Sequence, residues 1–532
     1  MHGVWPWILM GALGCGGSSK PAPSTDSASA DSGGESVGCA PWVADLQTHW
    51  DADALWPGVA LPELGGNAGV GVGDLNGDGW PDAVIATPLG TRLLVNDGAG
   101  RLAMGVDGES DAWPEATGVA LADLDGDGDL DAWLGTMTGR PDLLLLNDGT
   151  GTMEVQEIAE SLGESTSGSF ADVDQDGDLD VLVARYAAEL SLDGVIDGTM
   201  VGEGNALYIN EGGTFTWKPD ALPAEVVDDV TFHAQWLDAN QDGHPDIYLA
   251  NDFGPFLGRN RLLLGDGSGQ FELADDCGCD LANFGMGVGV GDANGDGWVD
   301  LYITDLAGPD LLLGQGDGTF YDATLATGAH VPNDGAHLAS WGTAMVDLNG
   351  DGWTDLPMVF GRVDPGGEDD AFGGLGADYE SWIDGPGQED VVLMHDGDGG
   401  FYDASSESGF SYDGDGRALA VGDFDRDGRP DLITAGLWYA QHWRGGGGCD
   451  GRVVVALPGD AHARGLGAQV EATVGDRVQT HWFQPSTTWS SSEAAVFIGL
   501  GDAEQIDALQ LRFADGSQEQ WSAVPAGTWV RP

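Results

Sequence analysis

The sequence predicts an all-β protein: a seven-bladed β-propeller over residues 41–448, then a small all-β domain over 450–532. Three observations predict this. A nonapeptide of the form D-x-[D/N]-x-D-G-x-x-D occurs seven times, its starts 49 to 76 residues apart. Strand-like runs flank each copy. A second apolar run, a glycine turn and often an aromatic residue follow, so one repeat supplies about four short strands, the content of a propeller blade. Seven blades lie within the range that closes a ring. The alternative, an open solenoid, needs polar end caps that the terminal repeats lack.

Oxygen-bearing side chains occupy positions 1, 3, 5 and 9 of each nonapeptide. They are Asp74, Asn76, Asp78 and Asp82, then Asp123, Asp125, Asp127 and Asp131, then Asp172, Asp174, Asp176 and Asp180. The fourth and fifth sets are Asp238, Asn240, Asp242 and Asp246, and Asp292, Asn294, Asp296 and Asp300. The last two are Asp347, Asn349, Asp351 and Asp355, and Asp423, Asp425, Asp427 and Asp431. Alternation turns these oxygens towards one centre, which suits a hard cation such as Ca²⁺ that takes six to eight oxygens. The glycine at position 6 permits the turn that returns position 9 to the ion. Position 7 is Trp80, Asp129, Asp178, His244, Trp298, Trp353 and Arg429. That scatter is expected where only a backbone carbonyl binds. The expected cofactor is Ca²⁺, up to seven ions in a structural role. An EF-hand is excluded, because its position 12 needs a bidentate Glu between helices. Here position 12 is Ile85, Leu134, Val183, Leu249, Ile303, Met358 and Thr434.

Apolar residues make up 42% of the 532, which argues for a folded chain despite 89 glycines and a net charge of −71. Of the 28 ligand positions, 24 are Asp, so much of the acidity is concentrated where cations would neutralise it. Seven divalent ions would still leave the protein near −57. Such a field excludes nucleic acid and anionic membrane surfaces as partners.

In chain order, Val4–Leu13 is apolar but too short to span a bilayer as a mature helix. It ends at A-L-G-C and resembles a bacterial lipoprotein signal, residues 1–14, with Cys15 as the lipid-bearing residue; an ordinary cleaved signal is the other reading. Both imply export. The resemblance implies an outer-membrane or cell-surface lipoprotein, or a secreted protein, that meets the membrane only through a lipid anchor. Residues 15–40 read as a flexible tether rich in Ser, Gly, Ala, Pro and Asp. Its G-E-S-V-G (Gly34–Gly38) lacks the strand and helix a hydrolase elbow requires.

Strands are expected at Gly69–Gly73 and Ala83–Thr87 around the first nonapeptide, and at Asp246–Ala250 and Asp300–Thr304 after later ones. Leu93–Leu102, Leu207–Phe215 and Leu311–Phe320 supply third and fourth strands. Two insertions, Tyr186–Asn205 and Gly361–Glu389, fall between second and third strands and so emerge on the face opposite the acidic loops. The second carries Asp364–Asp370 and Asp378–Trp382. Cys39, Cys277, Cys279 and Cys449 allow three pairings; Cys39–Cys449 would clasp the ring where its ends meet. From Gly451 the acidic loops stop, and Arg452–Leu457, Gln469–Val474 and Ile506–Phe513 read as strands.

These loops and strands resemble the FG-GAP/VCBS repeats of integrin α-subunits and related bacterial propellers. Met286–Asp305, Ala250–Pro255 and Gly316–Thr324 are similar to the cartilage acidic protein family. Its bacterial members end in an ASPIC/UnbV domain, which Gly465–Gly475, Phe497–Ala503 and Leu511–Gly516 resemble. Phe513-Ala514-Asp515-Gly516 departs from the family's usual Trp-Pro pair. The resemblance implies a secreted or surface-attached calcium-binding protein without an assigned reaction.

No catalytic constellation emerges. The chain has no P-loop, no H-E-x-x-H and no dinucleotide fingerprint in strand–helix context. His233, His330 and His337 read as loop or core residues, and Trp80, Trp298 and Trp353 as covers for blade edges or as platforms for sugars. The expectation is a calcium-binding, cell-surface or secreted non-enzymatic scaffold for adhesion, with an extracellular protein or glycan as partner. The rival is a polysaccharide-acting hydrolase or lyase using a carboxylate pair.

Overall fold

The computed structural model describes residues 39–532 except 56–67, 88, 106–113, 188–191, 307, 332–338, 362–388, 437, 458–464 and 488. The expected signal, Cys15 and the tether to Gly38 lie outside the described residues. So do His337 and the acidic stretches of the second insertion. The protein is all-β, 48% strand and 4% helix, and among the described residues no helix is long and apolar enough to cross a membrane.

One four-stranded antiparallel pattern recurs. In the first repeat it runs Gly69–Gly73, Asp82–Thr87, Gly90–Asn96 and Leu102–Met104; in the fourth, Thr231–Leu237, Asp246–Asn251, Arg261–Gly265 and Phe271–Leu273. Second strands are buried throughout, as in Asp82–Thr87 and Asp131–Gly135, which explains why they read as apolar runs rather than alternations. Outer strands such as Met153–Glu157 are exposed.

The last repeat departs from chain order. Its strands Gly416–Gly422, Asp431–Gly436 and Tyr439–Gly448 are completed by Ala40–Asp51, which pairs antiparallel with Tyr439–Gly448. Ala40, expected at the end of the tether, is already strand. Cys39 and Cys449 form a disulfide with a Cα–Cα distance of 4.7 Å, and Cys277 and Cys279 form another. Neighbouring sheets share cores: Leu75, Val84 and Ala86 pack with Leu121, Ala132 and Leu134. The first and last sheets do the same through Val70, Val72 and Ile85 against Ala418, Ala420 and Ile433.

The C-terminal segment contains a three-stranded sheet (Ala495–Gly501, Gly451–Ala456, Thr528–Val530) and a four-stranded one (Arg477–Trp482, Gln469–Val474, Gln505–Arg512, Gln518–Pro525). It is not self-contained. Ser486–Thr487 and Ser490–Ser491 form a hairpin that joins the sheet of the first repeat, Ser491 pairing in parallel with Gly71. Ser490 Oγ accepts from the Val70 amide, and Trp489 O accepts from the Val119 amide, both at 3.0 Å. The buried Trp489 ring lies 5.6 Å from Phe232 and 5.2 Å from Trp341, so one side chain ties together innermost strands of distant repeats. A Cβ on Gly69 would stand 2.3 Å from Trp489 O, which is why that inner strand carries glycine.

Candidate metal centres

Each nonapeptide lies between the first and second strands of its sheet, and all seven fold by one hydrogen-bond scheme. The position-1 carboxylate accepts from the amide of the position-6 glycine at 2.7–3.1 Å. Those glycines have φ between +85° and +100°, a conformation that a side chain disfavours. The position-5 carboxylate accepts from the position-7 amide at 2.8–3.0 Å. Position 7 is therefore engaged through its N–H, a contact not anticipated from the repeat.

Position 9 does more than the spacing implied. One oxygen accepts from the position-2 amide at 2.7–3.3 Å. The other accepts from an amide at the end of the third strand, such as Asn96, Gly265 or His395, at 2.8–2.9 Å. This aspartate locks loop to sheet whether or not it also binds metal. Position 4 is left-handed in every copy; it is Gly77, Gly126, Gly295 or Gly350 in four, but Gln175, Gln241 and Arg426 in the others.

Among the described residues, three sets of carboxylates converge with ligand atoms within 4.8 Å of one another: Asp123, Asp125 and Asp127; Asp172, Asp174 and Asp180; and Asp423, Asp425 and Asp431. In the second set, Asp174 Oδ1 is buried without a hydrogen-bond partner. An orphaned carboxylate oxygen facing two further carboxylates fits a cation and little else. In the last loop Arg444 is ion-paired with Asp425, and Arg429 with Asp427, so protein cations already serve part of that site.

Burial sets the electrostatics. Desolvation pushes the position-9 carboxyls of Asp82, Asp131, Asp180 and Asp246 up to about 7, and that of Asp431 up to about 8. Asp300 and Asp355 are raised well above the carboxylate range for the same reason. At position 1, Asp292 rises to about 6 and Asp423 to about 8, again chiefly by burial. Like charges within each loop add to these shifts. Only a counter-cation would return such groups to full ionisation at neutral pH.

The position-7 indoles pack on the turn between third and fourth strands. Trp80 lies beside Gly98 and Trp298 over Gly316. Trp353 stacks on His395 at 4.4 Å, and the Arg477 guanidinium carbon lies 3.9 Å from the indole centroid. His233 is a buried inner-strand residue bonded to Gln235, and His330 is exposed. The repeat gave no signal for the C-terminal residues that meet the loops. Arg452 donates to Leu348 O, Arg477 to Asp351 O, and Glu493 accepts from the Asp423 amide while pairing with Arg426.

Against known families, four segments match the FG-GAP-like repeat, residues 74–134, 123–183, 238–303 and 292–356, and residues 459–531 match ASPIC and UnbV. The chain is an FG-GAP-repeat protein with an ASPIC and UnbV domain. The matched repeat segments of this FG-GAP protein begin at the first aspartate of a nonapeptide. No curated protein matches it. Among solved structures it is similar to an Agrocybe aegerita lectin that recognises non-reducing terminal N-acetylglucosamine (20% identity, TM-score 0.41, covering 70% of this chain and 86% of that one). It is also similar to a fungal alcohol oxidase of the AA5 family in complex with copper (10%, TM-score 0.43, 91% and 100%). A third is the V. cholerae biofilm matrix protein Bap1 (13%, TM-score 0.31, 92% and 85%). Likeness this distant does not bear on what the FG-GAP protein binds or does.

Proposed function

We propose that this protein is a calcium-stabilised, non-enzymatic binding scaffold presented outside the cell, its seven repeats closed into a propeller ring. The single observation behind the calcium reading is the shared loop geometry, with converging carboxylates and the orphaned Asp174 oxygen. Each loop would hold its ion through positions 1, 3 and 5, with position 9 as ligand and latch together. Bound Ca²⁺ supplies positive charge that keeps these carboxylates ionised. Ring closure is supported by Ala40–Asp51 completing the last sheet, by the Cys39–Cys449 bridge and by the core shared between first and last sheets. Presentation outside the cell is supported by the repeat and ASPIC/UnbV matches and by the two disulfides. The non-enzymatic reading is supported by the use of the loop aspartates: the carboxylates at positions 1, 5 and 9 each accept backbone N–H groups and so hold the loop together.

Isothermal titration of chelated protein with Ca²⁺ tests the reading. Binding of several ions with a large rise in melting temperature is expected. Failure to bind Ca²⁺, or sugar release from polysaccharide in proportion to added protein, overturns it.

A further inference from the structure

A cleft of about 430 Å³ lies between the third and fourth acidic loops and the C-terminal domain. Others on the molecule are near 90 and 170 Å³. The 430 Å³ cleft falls within the roughly 300–1,000 Å³ typical of small-ligand sites. The geometry points to this cleft as a binding site for a neutral oligosaccharide, an inference that rests on the scaffold reading and gives it a ligand class.

Two observations carry it. The first is the identity of position 4 in the loops that form the wall. Four of the seven nonapeptides place glycine at this left-handed position, yet both loops at the cleft place glutamine there, Gln175 with φ +62° and Gln241 with φ +57°. A non-glycine residue costs conformational energy in that region, and such strain persists where the side chain is used. Gln175 Nε2 bonds His244 Nδ1 at 3.1 Å across the cleft wall, and Gln241 Nε2 donates to Gly297 O of the fifth loop at 3.2 Å, so both side chains are held in place.

The second is the chemistry of the facing wall, which presents Trp482, Gln469, Gln484 and Arg512. Planar amides and carboxylates satisfy the donor–acceptor hydroxyls of a sugar, and a half-buried indole offers an apolar face to pyranose C–H groups. Asp172, Asp238, Asp242 and Asp515 line the cleft alongside Arg512. A phosphorylated ligand would meet these carboxylates, and an apolar one would strand the amides unpaired.

The test uses the full chain in Ca²⁺ on an array of neutral and uronic oligosaccharides, with lysine- and arginine-rich peptides as a second arm. A neutral oligosaccharide is expected to bind. Q175A/Q241A and R512A, all at exposed positions, should each weaken it about tenfold or more, with melting temperature and Ca²⁺ stoichiometry unchanged; W482A should do the same if it folds. Unchanged affinity in Q175A/Q241A and R512A overturns the site. Cleft variants that lose a cationic peptide and no sugar overturn the ligand class. An empty array beside normal Ca²⁺ stoichiometry sinks this inference alone, whereas absent Ca²⁺ binding sinks the scaffold reading.

Discussion

Chelating Ca²⁺ should destabilise the protein far more at pH 8 than at pH 5. Four position-9 carboxyls, those of Asp82, Asp131, Asp180 and Asp246, sit near 7 in the fold because burial penalises their ionised form. In the unfolded chain such groups titrate near 3.8. At about 1.36 kcal/mol per factor of ten, ionising one of them inside the metal-free fold costs about 4 kcal/mol. Domain stability totals roughly 5–15 kcal/mol, so a few such groups would exhaust it. Between pH 4 and 7 the native state binds more protons than the unfolded state, so metal-free stability falls as pH rises through 7. Bound Ca²⁺ removes the penalty and adds stabilisation by mass action. Thermal melts by circular dichroism, in EDTA and in Ca²⁺ from pH 5 to 8, measure this. The gap between the two curves should widen steadily with pH. EDTA melting temperatures that are flat, or higher at pH 8 than at pH 5, refute the reasoning.

The glycines at position 6 make a second expectation: Gly177→Ala and Gly243→Ala meet no neighbouring atom, so backbone strain alone should cost about 1 kcal/mol in urea melts. At position 4, Q175G and Q241G remove a non-glycine side chain from the left-handed region and should gain rather than lose stability in the same measurement. Trp489→Ala should lose about 3–5 kcal/mol, since the ring is fully buried between distant repeats. Converting Cys39 and Cys449 to serine opens a link across 410 residues and should lower the urea midpoint by the equivalent of roughly 3–5 kcal/mol. Asp142 accepts from the Thr136 amide and Ser165 hydroxyl, and burial lifts its carboxyl to about 7. D142N should therefore flatten the fall in stability between pH 5 and 8 in denaturant titrations, gaining on the wild type as pH rises.

The nonapeptide register, the position-6 glycine and the apolar second strands were legible in the sequence because each is dictated locally. A left-handed turn needs glycine within the loop itself, and a fully buried strand shows an unbroken apolar run. Repetition then multiplied a weak signal sevenfold. The double duty of the position-9 aspartate was not legible, since its partners Asn96, Gly265 and His395 are backbone amides, and every residue carries one. The strand Ala40–Asp51 could not be assigned to the last sheet from its own residues, because pairing partners 400 residues away leave no trace in local periodicity.

The Ser486–Ser491 hairpin, Glu493 and the arginines Arg452 and Arg477 were likewise decided by tertiary structure. Nothing in their neighbourhood marks them as contacts of the acidic loops. By itself the sequence determined where oxygens alternate and where the backbone turns. Which carboxylates are deeply buried, and which surfaces meet to form a cleft, depended on how distant strands pack. Desolvation is a property of everything surrounding a group, and a linear sequence does not say what surrounds it.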